Sequence, residues 1–287
     1  DFVRLGGELV CMLNPDRPFP ITTLYGQQGS AKTTLTRVIR SLIDPNKTAT
    51  RCAPRTERDL MIWAKNSWLL PLDNMSFVKD ALSDGLCRLA TGGGFGTRAL
   101  YENDEEVIFD AKRPIILNGI EEVAARGDLL DRAIVHHLPQ IPNATRRSES
   151  EFWKAFETAR PSILGALLDA VSAALRNSDQ AKDSIGDLPR MADFAIWVAG
   201  AERALGWKDG QFMKAYDRNR QEAQQVALES SPLVEPLRRF MRGREKDWRG
   251  SATTLLRVLD GFVDENVRRR NNWPKTASAL SNKLRRL

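Results

Sequence analysis

Gly26-Gln27-Gln28-Gly29-Ser30-Ala31-Lys32-Thr33-Thr34 is a glycine-rich turn ending in Lys-Thr, set between the apolar residues 19–25 and the helix-like residues 35–42. Strand, glycine loop and helix arrive in the order from which a phosphate site is built. Backbone N–H groups of such a loop wrap the phosphates, Lys32 neutralises the outer ones, and the Thr33 hydroxyl can ligate Mg²⁺. Read this way, residues 26–34 form a P-loop for ATP and Mg²⁺. Ala31 departs from the pattern G-x-x-x-x-G-K-[ST], which has glycine there, and a methyl group gives up part of glycine's tolerance for positive φ. The other reading is a Gly/Ser turn ahead of an ordinary helix.

Length and composition set the frame. A chain of 287 residues predicts about two domains with a real apolar core. Cys11, Cys52 and Cys87 are far apart and form no C-x-x-C pair, so a reduced, cytoplasmic setting is expected and a cysteine metal site is not. His136 and His137 are adjacent and would point to opposite faces of a strand, which favours structural roles over ligation. No segment reads as a membrane span or a signal peptide, and a start at Asp1 suggests a piece of something longer. Charge is uneven: residues 231–287 hold 14 Lys/Arg against 6 Asp/Glu, a local +8, which leaves about −2 for the remainder of a chain whose total is +6. Localised positive charge is the footprint of a nucleic-acid binder, the alternative being a solvated basic face.

Along the chain, residues 67–74 read as a buried strand delivering Asp73 at its carboxyl end, with Pro71 an awkward member because it lacks a ladder donor. Residues 77–89 read as a helix, 91–98 as a Gly-rich loop, and 99–109 as a hairpin around Asn103-Asp104. Residues 114–117 and 133–138 supply two more strands. Alternating strands and helices predict an α/β core with a mostly parallel sheet. From Ser148 the period turns helical, with Phe152, Phe156, Ile163, Leu164, Leu167, Leu168, Val171 and Leu175 expected to pack. The polar residues 221–236 read as a linker punctuated by Ser230-Ser231-Pro232. Beyond them, helices over 233–241, 253–263 and 276–287 fit a winged or plain helix-turn-helix module. The expected organisation is a lead-in (1–17), a P-loop, AAA+-like ATPase core (18–142), a helical region (143–230) and a basic winged-helix-like module (231–287).

These motifs resemble the superfamily 3 helicases of viruses and mobile elements, particularly the poxvirus-type primase-helicase branch of phages and plasmids. The resemblance covers residues 18–140 through three motifs in order. It implies an ATP-dependent DNA helicase or translocase working in replication on single-stranded or forked DNA. It also implies assembly as a ring, expected to be a hexamer, with a primase-polymerase domain often lying upstream.

On this resemblance, Asp73 would hold Mg²⁺ with Thr33. A second acidic residue usually follows, and this chain has Asn74, whose amide can orient water but cannot accept its proton. Asn118 matches the polar sensor that reaches between the two phosphate-site strands, although Asn-Gly alone is a turn signal. Arg132 resembles an arginine finger presented to a neighbouring subunit; a salt bridge to Asp128 or Asp131 is the alternative, and Arg126 is the competitor for the role. Residues 91–101 resemble a pore hairpin, in which Arg98 would pair with phosphate and Tyr101 would stack on a base or brace the loop. Lys275, Lys283, Arg285 and Arg286 in the C-terminal module are the remaining DNA-contact candidates, while Trp248 and Trp273 read as core anchors. A nucleotide-switched DNA-binding protein with slow or absent hydrolysis is the runner-up function.

Overall fold

The computed structural model describes residues 2–75, 78, 80–93, 95–98, 106–109, 111–119, 127–242, 247–270 and 273–285; for residues 95–98, 106–109, 226–227 and 229–230 it describes the backbone alone. The chain is α/β and divides into two compact units, Asp1–Arg220 and Gln221–Leu287.

The first unit is built on a parallel sheet of four strands, β1 (Ile21–Tyr25), β2 (Leu70–Met75), β5 (Ile115–Gly119) and β6 (Ala133–His137), in the order β2-β5-β1-β6. β1, β5 and nearly all of β6 are buried along their length, which is why they do not alternate between apolar and exposed polar residues. Helices α1 (Phe2–Met12), α2 (Lys32–Ile43), α3 (Glu57–Asn66), α4 (Asp80–Thr91), α5 (Gly127–Leu130), α6 (Glu149–Ser184), α7 (Ala192–Ala201) and the part of α8 (Gln211–Ser230) up to Arg220 complete the order, with the antiparallel pair β3 (Phe95–Arg98) and β4 (Glu106–Phe109) between α4 and β5.

Leu24, Ile116 and Ile134 from the sheet share one core with Val10, Leu167, Phe194, Trp197 and Phe212 from the helices. The expected lead-in is therefore a structural helix: α1 buries Leu9, Val10, Cys11 and Met12, and its Glu8 bonds to Thr22 Oγ1 (2.6 Å) and His136 Nε2 (2.5 Å) inside the protein. His136 is buried and its neighbour His137 exposed, as alternation along a strand requires.

Both outer strands have occupied edges. On β2, the Pro71 carbonyl accepts from the Arg51 N–H (2.9 Å) and the Asp73 N–H donates to the Arg51 carbonyl (2.7 Å), so the nitrogen that lacks a hydrogen faces outward and the ladder to β5 loses nothing. On β6, the side-chain amide of Asn219 takes the place of a fifth strand, accepting from Val135 N (3.0 Å) and donating to Val135 O (2.7 Å).

α2 is tied to the start of β2 by Asp44, which accepts from Trp68 N (2.8 Å) and Leu69 N (2.9 Å) and pairs with the buried Arg40 (2.9 Å). Burial lowers the Arg40 pKa, with Asp44 opposing that shift.

Several expectations change. The Gly-rich segment is a loop only through residue 93, and Phe95–Arg98 pairs with Glu106–Phe109 as a strand; residues 99–105, the expected centre of the hairpin, lie outside the described residues. The stripe on α6 is not a uniform packing face: Phe156 and Leu167 are buried, but Leu168 is 53% and Leu175 70% exposed. The linker expected over 221–236 is helical to Ser230, because its polar residues are good helix formers, and the helix ends at Ser231-Pro232.

The second unit has its own core of Leu233, Phe240, Leu255, Leu259, Trp273 and Leu280, drawn from α9 (Val234–Met241), α10 (Ala252–Asp260), the segment before α12, and α12 (Ala277–Leu284). Ser251 and Thr276 cap α10 and α12 through their side-chain oxygens. Trp273 donates to Asp260 (2.8 Å), and Trp248 packs edge-on against Phe240. Among the described residues this unit holds helices and no strand, so the wing expected of a winged helix is not among its elements. Arg268 and Arg269 lie in a separate short helix, α11 (Glu265–Arg269).

Candidate functional site

The glycine loop leaves the carboxyl end of β1 and turns directly into α2. A Cβ at Gly26 would come within 2.5 Å of the Leu138 carbonyl, so the close passage of these two backbones needs glycine. Gly29 has φ 83° and Ala31 has φ 59°, ψ 26°, so the methyl-bearing residue occupies the left-handed conformation at the cap of α2. The cost of holding alanine there is about 1 kcal/mol. Ala31 provides no side-chain cap, which leaves the first-turn N–H groups of α2 without a side-chain acceptor.

Lys32 folds back over the loop: its Nζ donates to Gly26 O (2.6 Å), Gln27 O (3.0 Å) and Ser30 Oγ (3.4 Å). Next to it, the Thr33 hydroxyl lies 3.1 Å from Asp73 Oδ2 and 3.4 Å from Oδ1. Asn118 Nδ2 donates to Asp73 Oδ1 (2.6 Å) and reaches Thr33 Oγ1 at 3.4 Å.

These contacts follow from strand order. β5 lies between β1 and β2 and sets Leu24 opposite Asn118, so the Asn118 amide emerges between the loop and Asp73. Asn118 is 1% exposed and lies within β5, which rules out the simple Asn-Gly turn. The pairing of β2 with β5 is broken between Leu72 and Met75, and Asp73 and Asn74 occupy the break. Asn74 has φ 57°, a conformation asparagine tolerates better than most residues, and its side chain is exposed.

Thr33 Oγ1 and the Asp73 carboxylate form an all-oxygen donor pair of the kind that suits a hard divalent cation with several retained waters. The uncapped helix start, the glycine cradle and Lys32 suit a phosphate chain beside it. The arrangement can thus hold an anion and its counter-cation at one end of the sheet.

Arg132 lies elsewhere. Its carbonyl accepts from Ile21 N, at the start of β1, so it sits at the opposite end of strands five residues long, about 16 Å from the loop. Its guanidinium donates to the Asp128 carbonyl (2.8 Å), not to a carboxylate, and Asp131 pairs instead with Arg190 (3.1 Å). Arg132 therefore serves no role at the loop of its own chain. Arg126 and Tyr101 lie outside the described residues, and Arg98 is placed by its backbone alone, at the end of β3.

Sequence reasoning passed over the segment after β6, which braces the loop. Leu138 N donates to Tyr25 O (2.7 Å), Ile141 N to Gly29 O (3.2 Å) and Gln140 Nε2 to Gln28 O (3.4 Å). From α6, Glu149 pairs with Arg37 of α2 (2.5 Å) while the Arg37 guanidinium lies over Trp153. The Arg37 hydrogen bond, with a smaller one from Trp153, holds the Glu149 carboxyl below its usual range. No periodic pattern marks this brace. The signal available was positional, since a chain leaving a strand beside the loop must pass over it.

Residues 6–220 match the model of the actinomycete integrative conjugative element replication protein family, and residues 233–287 match that of the AICE RepA C-terminal domain. The chain belongs to this replication-protein family. It is a replication protein of a mobile element, which agrees with the context the motifs implied. No curated protein matches the chain.

In this replication protein the basic C-terminal candidates are unequal. Lys275 is bound to the Arg268 carbonyl, Lys283 is half-buried and burial lowers its pKa, Arg285 is exposed, and Arg286 lies outside the described residues. Among the described residues no helix is long and apolar enough to cross a membrane, and no three His, Cys, Asp or Glu side chains gather as a metal site would require.

Proposed function

We propose that this replication protein is an ATP-driven DNA translocase or helicase of superfamily 3 type, working on single-stranded or forked DNA as a ring of subunits. The observation that carries the reading is the convergence of Lys32, Thr33, Asp73 and Asn118 at the carboxyl ends of three adjacent parallel strands. Open crevices at that edge of a parallel sheet are where α/β proteins bind nucleotides.

In this reading residues 26–34 bind the phosphates, Lys32 balances their outer charge, and Asn118 orients the attacking water. Thr33 and Asp73 would hold Mg²⁺, which when bound neutralises charge on the phosphate oxygens. Asn74 can orient water but takes no proton, so turnover rests on positioning and charge stabilisation. Arg132, at the far end of the sheet from its own loop, is available to a neighbouring subunit's nucleotide. Arg98, Tyr101, Lys275, Lys283, Arg285 and Arg286 are the proposed DNA contacts.

Steady-state ATP hydrolysis with and without single-stranded DNA tests the reading, with Lys32→Ala as the blank. Turnover stimulated by DNA and rising cooperatively with protein concentration is expected. Nucleotide binding and hydrolysis that Lys32→Ala leaves unchanged would refute it. The amide at Asn74 favours one second reading, an ATP-switched DNA-binding protein; tight ATP binding with negligible turnover at every concentration would select it.

A further inference from the structure

We propose that Arg146 is a second phosphate-binding cation of this site, brought to the glycine loop by the segment after β6; the inference rests on the phosphate-site reading above. Arg146 belongs neither to the glycine loop nor to any motif after it. Yet its Nη2 stands 2.9 Å from the point where a Cβ of Gly29 would lie. The guanidinium thus touches the glycine at the crest of the loop, and any side chain at residue 29 would displace it.

The backbone on both sides of Arg146 is fixed. A short 3-10 turn, Asn143–Thr145, ends on it, with Arg146 N donating to Asn143 O (3.4 Å). Two residues later Ser148 caps α6 in a reciprocal arrangement with Glu151. The turn itself follows Ile141, whose N–H is bonded to Gly29 O. Arg146 is therefore anchored to the loop it overlies.

Arg37, Arg88, Arg190 and Arg203 of the first unit have carboxylate partners, and Arg147 acts on Glu151. Among the described residues, the exposed Arg146 has neither a carboxylate nor a side-chain hydrogen bond, as is true of Arg55 and Arg58, and it is its place beside Gly29 that sets it apart. A guanidinium that lies beside the glycine loop with its donors unengaged is suited to bidentate contact with phosphate oxygens.

The test uses the whole chain, wild type and the variants Lys32→Ala, Arg146→Ala, Arg146→Lys, Arg146→Gln and Arg147→Ala. Binding of a fluorescent ATP analogue is displaced by ATP and, separately, by inorganic tripolyphosphate, and each variant's melting temperature is recorded without ligand. Arg146→Ala is expected to weaken both displacers by the same factor, about tenfold, with Arg146→Lys recovering part of it and Arg147→Ala near wild type. Equal loss with tripolyphosphate identifies a phosphate contact, because that probe has no base or sugar. If Arg146→Ala lowers the melting temperature by more than a few degrees, Arg146→Gln, which keeps the packing stem, decides in its place. Lys32→Ala weakened while Arg146→Ala and Arg146→Gln bind as wild type would overturn the inference and leave the site intact. Tighter binding by Arg146→Ala would also overturn it, since the guanidinium would then be screening the loop. If wild type binds neither displacer, or Lys32→Ala binds both as well as wild type, the site itself fails and the inference falls with it.

Discussion

Asn118 Nδ2 lies 2.6 Å from Asp73 Oδ1, a hydrogen bond that crosses from β5 to β2 where the β2 ladder has just been interrupted. Without the interruption Asp73 would continue the strand alternation; with it, the carboxylate meets the Asn118 amide and the Thr33 hydroxyl at once. The bond therefore couples the loop to the break in β2, and it gives the first prediction.

If the protein hydrolyses ATP as proposed, Asn118→Ala should lower that rate by about a hundredfold while changing nucleotide affinity by no more than about threefold, because it removes one positioned donor and leaves residues 26–34 unchanged. Turnover and equilibrium binding measured on the same preparation check this. Equal losses in both would assign Asn118 to ground-state binding.

Ala31→Gly should raise stability. Ala31 sits at φ 59°, and glycine removes the Cβ penalty at some cost in unfolded-chain entropy, for a net gain of up to about 1 kcal/mol. A rise of about 2–4 °C in melting temperature is expected, and a fall would mean the loop stores no strain there.

Asp44→Ala should cost about 3 kcal/mol, since it leaves the nearly buried Arg40 without its carboxylate and orphans the N–H groups of Trp68 and Leu69. Denaturant midpoints report it, and a loss under about 1 kcal/mol would show that water replaces the carboxylate.

Burial pushes the Tyr216 pKa up to about 12 from an ordinary 10. The folded state thus holds the phenolic proton more tightly than the unfolded chain. Stability from this source is complete below pH 10 and is lost as pH rises from 10 through 12. Thermal melts across that range should fall less steeply for Tyr216→Phe than for wild type, and parallel curves would assign the alkaline loss to other groups.

Removing residues 231–287 should leave the first unit folded, because among the described residues its core is built from residues before 221. The same truncation should remove most of the DNA affinity and flatten its dependence on salt, which scales with the number of phosphate contacts. Titrations at several salt concentrations read both quantities, and an unchanged slope would move the DNA contacts to the first unit.

Much of this fold was legible because parallel strands buried on both faces are largely apolar without alternation and the loop between β1 and α2 has a fixed local chemistry. Asp73 and Asn118 could be named for the same reason: each closes such a run. What the sequence hid was lateral. Nothing in residues 138–149 announces that they cross the loop, since the contact depends on where β6 ends relative to β1. Arg132 could be chosen as a candidate, but that it sits at the far end of its own sheet follows from register. The exposed Leu168 and Leu175 show the complementary limit: periodicity gives a stripe's direction along α6, but not how far along the helix its neighbours reach.

The occupied edges of the sheet restrict how copies of this protein can join. Pro71 offers no donor on the outer side of β2, where Arg51 already takes the neighbouring groups, and the Asn219 amide holds both polar groups of Val135 on β6. A strand from another molecule would have to displace these partners before it could pair at either place, as sheets that avoid edge-to-edge aggregation require. Copies of this replication protein that assemble as proposed therefore leave Arg51 and Asn219 in place by meeting away from these two points of the four-stranded sheet, so that contacts can form and release without rebuilding the sheet that holds Asp73 and Asn118.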